Sequence, residues 1–247
     1  MENIKITGAR IFFEIPIAGG IPVTETQVNS LIVILVIWLS CVVLTRGMKV
    51  KPTSWRQIIA EWIVERVNGL VHANMGERFS PFAPFVCAIL SLSAFSSLSA
   101  LFGMYPPTAD LNTVAGWAIL VFVMITYYKI KSAGFVGYLR SFTKPFLLFA
   151  PFNVLSEIGT PVSMAFRHFG NIVSGTVITT LVYAALASLS SAVLGWLPGV
   201  LGELPLLQIG LPAVLSVYFD LFSSCIQAFI FAMLTMLYVS SACDGDG

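Results

Sequence analysis

Hydrophobic residues fall in long runs along this chain, and polar residues gather between them. The runs lie roughly at 28–45, 81–104, 113–130, 147–197 and 206–241. About 20 mainly apolar residues carry a helix across a bilayer, so each run predicts a membrane span. The fourth is too long for one upright helix. It predicts either a strongly tilted helix or a shorter helix followed by a bend. Between the first two runs, "KPTSWRQIIAEWIVERVNGLVHANMGERFS" has another character. Trp55, Ile58, Ile59, Trp62, Ile63 and Leu70 recur at helical spacing, and Arg56, Glu61, Glu65 and Arg66 interleave. This predicts an amphipathic helix lying on the membrane surface. His72 near its end reads as a solvated residue.

The expected fold is an all-α polytopic membrane protein: about five membrane-spanning helices plus one interfacial helix. The last two helices are expected to be long, tilted and packed as an antiparallel hairpin across the turn "LPGVLGELP". Residues 1–247 read as one integral membrane domain. Its expected parts are an outer N-terminal segment at 1–27, a first span at 28–45, an interfacial helix at 50–78, a helical hairpin at 81–130 and a final helix pair at 147–241.

Composition agrees: 57% of residues are hydrophobic and 10% charged, against about 25% charged in soluble domains. The net charge of +1, with no basic cluster interleaved with stacking aromatics, speaks against nucleic acid. Cys41, Cys87, Cys225 and Cys243 are scattered without metal-ligand spacing and read as small buried residues. No signal peptide is expected, because the N-terminus lacks a basic stretch leading into an apolar run and a cleavage site. The tail "CDGDG" is expected to fray.

The Lys/Arg bias orients the spans. Arg46, Lys49, Lys51, Arg56, Arg66 and Arg78 follow the first run, and Lys129, Lys131, Arg140 and Lys144 follow the third. The segments "YPPTADLN" and "LPGVLGELP" hold neither residue. The N-terminus is therefore expected outside and the C-terminus in the cytoplasm.

Ionisable residues inside spans are costly and mark function by default. Here they are Glu157, Arg167, His168, Glu203 and Asp220, with Asp110 near a rim. Arg167 stands out, because it is the only Lys or Arg after Lys144 and a guanidinium stays charged even when buried. No acid lies within one helical turn of it. Ser163, Arg167, Asn171 and Ser174 form one polar stripe at helical spacing; Ser216, Asp220, Ser223 or Ser224, and Gln227 form another. Two such stripes could line water-filled half-paths, with Gly170 and Gly175 allowing close approach. A carboxylate such as Asp220 can exchange a proton. An arginine cannot, but it can hold a neighbouring carboxylate ionised and stop protons leaking straight through. A carboxylate on another subunit is an attractive partner for Arg167.

At this point the residues resemble a family. "PVSMAFRHFGNIVSG" is similar to the signature around the essential arginine of subunit a of F-type ATP synthases, "IQAFIFAMLTMLYVSSA" resembles that subunit's last helix, and "PPTADLN" resembles its outer Pro-Thr-x-Asp-x-Asn motif. The resemblance implies that Arg167 meets the mid-membrane carboxylates of a rotating ring of c subunits and separates two offset half-channels. It places Gln227 opposite Arg167, Asn171 and Asp220 along the outer half-channel, and Ser163 and Glu157 toward the cytoplasmic one. Asp110 and Asn112 fall near the outer mouth. His168 stands where Leu is commoner, as a packing residue or a titrating group. Thr176 stands where relatives carry an acid or His, a duty Asp220 could take over. The resemblance further implies peripheral-stalk b subunits as partners, a bacterial inner membrane, a proton as the carried ion, no cofactor or metal, and no ATP chemistry in this chain. The competing reading is a secondary transporter that binds its substrate at Arg167. A membrane enzyme is poorly supplied, with only two histidines.

Overall fold

The computed structural model describes residues 8–16, 21–50, 54–144, 146–194 and 210–243. An antiparallel hairpin comes first, β1 (Ile11–Ile15) and β2 (Ile21–Thr24), pairing Ile11 with Thr24 across a bulge. This hairpin lies in the N-terminal segment, for which the sequence pattern predicts no element. Helix α1 (Glu25–Thr45) follows at once. The Gln27 side chain accepts from the Thr24 amide at 3.3 Å, one arm of a capping box. Beyond Val33, α1 shows Leu35, Trp38, Leu39 and Val43 to its surroundings, as a lipid-facing helix should.

Helix α2 (Trp55–Met75) falls on the segment expected to form the surface helix. Its Trp55, Ile58, Ile59 and Trp62 are exposed, while Val71 and Met75 enter the core. It stops at Gly76, whose φ of 87° favours glycine. His72 is more than solvated: its Nε2 lies 2.9 Å from Ser80 Oγ. Then come α3 (Ala83–Leu98) and α4 (Leu111–Ser141). Helix α4 runs past the expected end at 130. It bends at Gly134 (φ 73°), so part of the expected basic loop is helical.

Helix α5 (Ala150–Leu194) is continuous for 45 residues, roughly 67 Å at 1.5 Å per residue. That is about twice a hydrocarbon layer of about 30 Å, and the helix is unbroken where a shorter helix followed by a bend is the other expectation. Helix α6 (Leu211–Ser216) passes through a π-helical segment, Val217–Ser223, into α7 (Ser224–Cys243). Among the described residues, five helical segments are long and apolar enough to cross a membrane. The turn "LPGVLGELP", with Glu203, and the tail lie outside the described residues.

Helix α7 packs chiefly on α3 and α4, and α5 lies chiefly along α4. Val86 and Ile89 of α3, Val114, Ala118 and Val121 of α4, and Phe231, Ala232 and Met236 of α7 fill the centre. Small residues make the seams close: Ser93, Ser96, Ser97, Ala118, Ala232 and Thr235 are all buried. The cysteines are a correction. Cys41 and Cys225 are exposed, and Cys87 and Cys243 only partly covered, since an apolar thiol costs nothing on a lipid-facing surface.

Candidate functional site

Arg167 sits near the middle of α5 and is exposed, as are Ser163, Phe166 and Ser174. The charge is thus on an outer wall of the bundle, where an uncompensated arginine costs about 2.5–3.5 kcal/mol in a bilayer. Among the described residues no carboxylate pairs with it. Glu157 is itself engaged elsewhere. Lys129 Nζ of α4 donates to both its oxygens, at 2.8 and 2.6 Å. The sequence pattern puts Lys129 at the very end of the third run and counts it only in the basic bias, so the pair with Glu157 becomes legible only once α4 and α5 are seen side by side.

Two cavities open beside α5. The first, about 880 Å³, is lined by Lys129, Arg140, Lys144, Glu157 and Thr160 together with Tyr238 and Ser241 of α7. The second, about 650 Å³, is lined by Ile172, Thr176 and Thr180 of α5, by Asp220 and Ser224, and by Arg10, Glu25 and Tyr105. Along α5, Arg167 falls between them. It is seven residues past Thr160 and five before Ile172, hence roughly 10 and 8 Å of helix rise away from them.

The second cavity lies where α5 and the final helical segment touch. Asn171 Nδ2 donates to Ser223 Oγ at 2.7 Å, and Ser223 Oγ donates back to Asn171 Oδ1 at 3.1 Å. A Cβ on Gly175 would stand 3.1 Å from the Phe219 ring, so this glycine permits the approach, whereas Gly170 faces open space. Asp220 is half-buried on the π-helical turn between these contacts. Such turns displace side chains from the α-helical register and recur at functional sites. Gln227 is buried in α7, 6% exposed. Among the described residues no hydrogen bond joins it to Arg167.

In the loop that leads into α4, Asp110 is a clamp. Its Oδ1 accepts from the Asn112 amide at 3.0 Å, capping α4, and its Oδ2 accepts from Thr26 Oγ1 at 2.7 Å. The Asn112 side chain is exposed. Burial, and after it the negative charges of Asp110 and Glu25, pushes the Tyr105 phenol above its usual value. His168, unlike its exposed neighbour Arg167, is fully buried. Its Nε2 lies 3.4 Å from Ser93 Oγ and 3.5 Å from Ser97 Oγ, with the Trp117 and Phe231 rings edge-on. Sequence reasoning misses Lys129, Ser223 as a specific partner, and Glu25, whose position in the first turn of α1 is the available signal.

The family model described as ATP synthase A chain matches residues 27–240. The chain is 33% identical to ATP synthase subunit a 1 of Crocosphaera subtropica over 90% of this chain and 87% of that protein. It is 32% identical to ATP synthase subunit a of Priestia megaterium over 94% of this chain and 98% of that one. It is 29% identical to the sodium ion specific ATP synthase subunit a of Propionigenium modestum over 90% of this chain and 75% of the relative.

Proposed function

Because the chain belongs to the ATP synthase A chain family, we propose that its two cavities are offset half-channels and that Arg167 is the barrier between them. It is a multi-pass membrane protein of the ion-translocating membrane sector. The observation that carries the finer reading is the order along α5: cavity, exposed arginine, cavity. A carboxylate on a neighbouring rotating ring that reached Arg167 would be held ionised by the fixed charge. Its proton would have left through one cavity, and it would reload from the other once past the arginine. Ions that enter by one path and leave by the offset path turn the ring, and the rotation drives ATP synthesis elsewhere in the complex.

In this reading the cavity holding Asp220 opens outward and the basic cavity of Lys129, Arg140 and Lys144 opens to the cytoplasm, in line with the positive-inside rule. The N-terminus is outside and the C-terminus in the cytoplasm of a bacterial cell. Asn171, Thr176 and Asp220 serve the outer path, and Ser163 and Glu157 the inner one. Gln227 supports the face of α7 toward Arg167. Ring c subunits and the peripheral-stalk b subunits are the partners, and the ion is a proton.

Inverted membrane vesicles containing the whole complex test this. Arg167→Ala and Arg167→Lys each abolish ion-driven ATP synthesis while the soluble head still hydrolyses ATP. Normal synthesis with either variant overturns the reading. Synthesis that needs added Na+ at fixed pH replaces the proton and leaves the geometry standing.

A further inference from the structure

We propose that Glu25 is the acid at the mouth of the outer path, a negative charge that gathers cations ahead of Asp220. The inference rests on the half-channel reading and adds a residue to it. Glu25 shares the second cavity with Asp220, Thr176 and Tyr105, yet it comes from the start of α1, 195 residues earlier in the chain.

Its place is fixed on both sides. The Glu25 amide donates to the Arg10 carbonyl at 2.8 Å, which ties it to the hairpin. One residue on, Thr26 is fully buried and bonds Asp110; four residues on, Asn29 Nδ2 donates to the Tyr105 carbonyl at 2.8 Å. These bonds pin the first turn of α1 to the outer loop and present the Glu25 side chain to the cavity. Glu14 of β1 and Asp110, the other described acids at this end, do not line the cavity, and Asp110 has each oxygen engaged by a hydrogen bond. The mouth acid is therefore Glu25, and Asp110 holds the wall in which it is set.

The ionisable groups facing this space are Arg10 from the hairpin, Glu25 from α1, Tyr105 from the outer loop, Tyr183 from α5 and Asp220 from the π-helical turn. By residue type, two carboxyl groups face one guanidinium there. A low-dielectric cleft focuses such a charge and raises local cation concentration. The effect is long-ranged, so salt screens it, with a Debye length of about 10 Å at 0.1 M. Direct ion transfer at a buried group has no such salt dependence.

The test uses the whole complex in proteoliposomes. ATP synthesis is driven by a fixed membrane potential while the pH on the outer side is varied, at low and at high KCl. Glu25→Gln is expected to lower the rate by up to about tenfold at alkaline outer pH and low salt. The deficit disappears at acidic outer pH and shrinks at high salt. Glu25→Asp retains most of the wild-type profile, and Arg10→Gln shifts it in the opposite direction. If Glu25→Gln matches wild type at every pH while Asp220→Asn is slow, the Glu25 proposal falls and the half-channel reading stands. If Asp220→Asn and Arg167→Ala are also normal, the reading itself has failed. If Glu25→Gln prevents assembly, the Arg10→Gln profile decides: no shift, or a shift toward slower synthesis at alkaline outer pH, overturns the proposal.

Discussion

Glu157 and Asp220 are both acids set against a cavity, one on each side of Arg167 along α5, and the structure treats them in opposite ways. Glu157 is clamped by Lys129 in a cavity that also holds Arg140 and Lys144, so bases outnumber acids there. Asp220 has no ion pair among the described residues, stands on a π-helical turn, and shares its cavity with a second acid, Glu25. A path that must capture a dilute cation gains from negative charge and from an acid free to change state. A path that must release one gains from positive walls and an acid already committed. In the proposed reading it is this asymmetry of charge, more than any single residue, that favours the Asp220 cavity as entrance and the Glu157 cavity as exit.

Removing the free acid is the strongest way to break this contrast short of removing Arg167. Asp220→Asn is expected to slow ion-driven synthesis by about tenfold, roughly 1.4 kcal/mol on the barrier, and to change its dependence on outer pH with the complex still assembled. Synthesis with wild-type rate and pH profile takes Asp220 out of the path. The clamped acid predicts a different signature. Lys129→Met strands a carboxylate that is 16% exposed. The cost lies between the ~1 kcal/mol of an exposed pair and the ~3–5 kcal/mol of a buried one. Lys129→Met with Glu157→Gln is expected to be milder than Lys129→Met alone, in yield of assembled complex and in thermal inactivation. Additive damage would mean that the pair does not act as a unit.

The two ends also differ in how much of them the sequence makes legible. The polar stripe on α5 and the acid at 220 can be read at once, because helical spacing places i, i+4 and i+8 on one face and charge in an apolar run has few explanations. The Lys129–Glu157 pair is not legible, because a basic residue at the end of an apolar run reads as part of the loop charge that follows it. The helix continues through Lys129 to a glycine bend at 134. Glu25 escapes notice because only the folded chain brings α1 beside the loop that leads into α4. His168 is ambiguous in sequence: its placement among Ser93, Ser97 and two rings depends on the register between α5 and α3, which no periodicity in either helix encodes.

Close packing sharpens the comparison at the Asp220 end. Gly175→Ala puts a methyl 3.1 Å from Phe219, the residue before Asp220. Overpacking of this kind costs about 1–3 kcal/mol. The expected result is a lower thermal inactivation temperature and a partial loss of synthesis, both relieved by Phe219→Leu. At the Glu157 end Gly159 faces open space, so Gly159→Ala serves as the neutral control. A Gly175→Ala complex as stable and active as wild type would show that the two helices are not held at this distance.

The smallest effect belongs to the Asn171–Ser223 pair. Both bonds between them, 2.7 and 3.1 Å, cross from α5 to the end of the π-helical turn, so they tie the helix that carries Arg167 to the segment that carries Asp220. A single such contact is worth about 1 kcal/mol. Ser223→Ala should therefore reduce synthesis by less than about fivefold, the equivalent of 1 kcal/mol, and Asn171→Ala with Ser223→Ala should add little to Asn171→Ala alone. That outcome makes the pair a brace that keeps acid and arginine in register. A loss as large as that of Asp220→Asn would instead put the Ser223 hydroxyl in the ion path. Asp220 would then lose its standing as the free group that distinguishes this end from the clamped one.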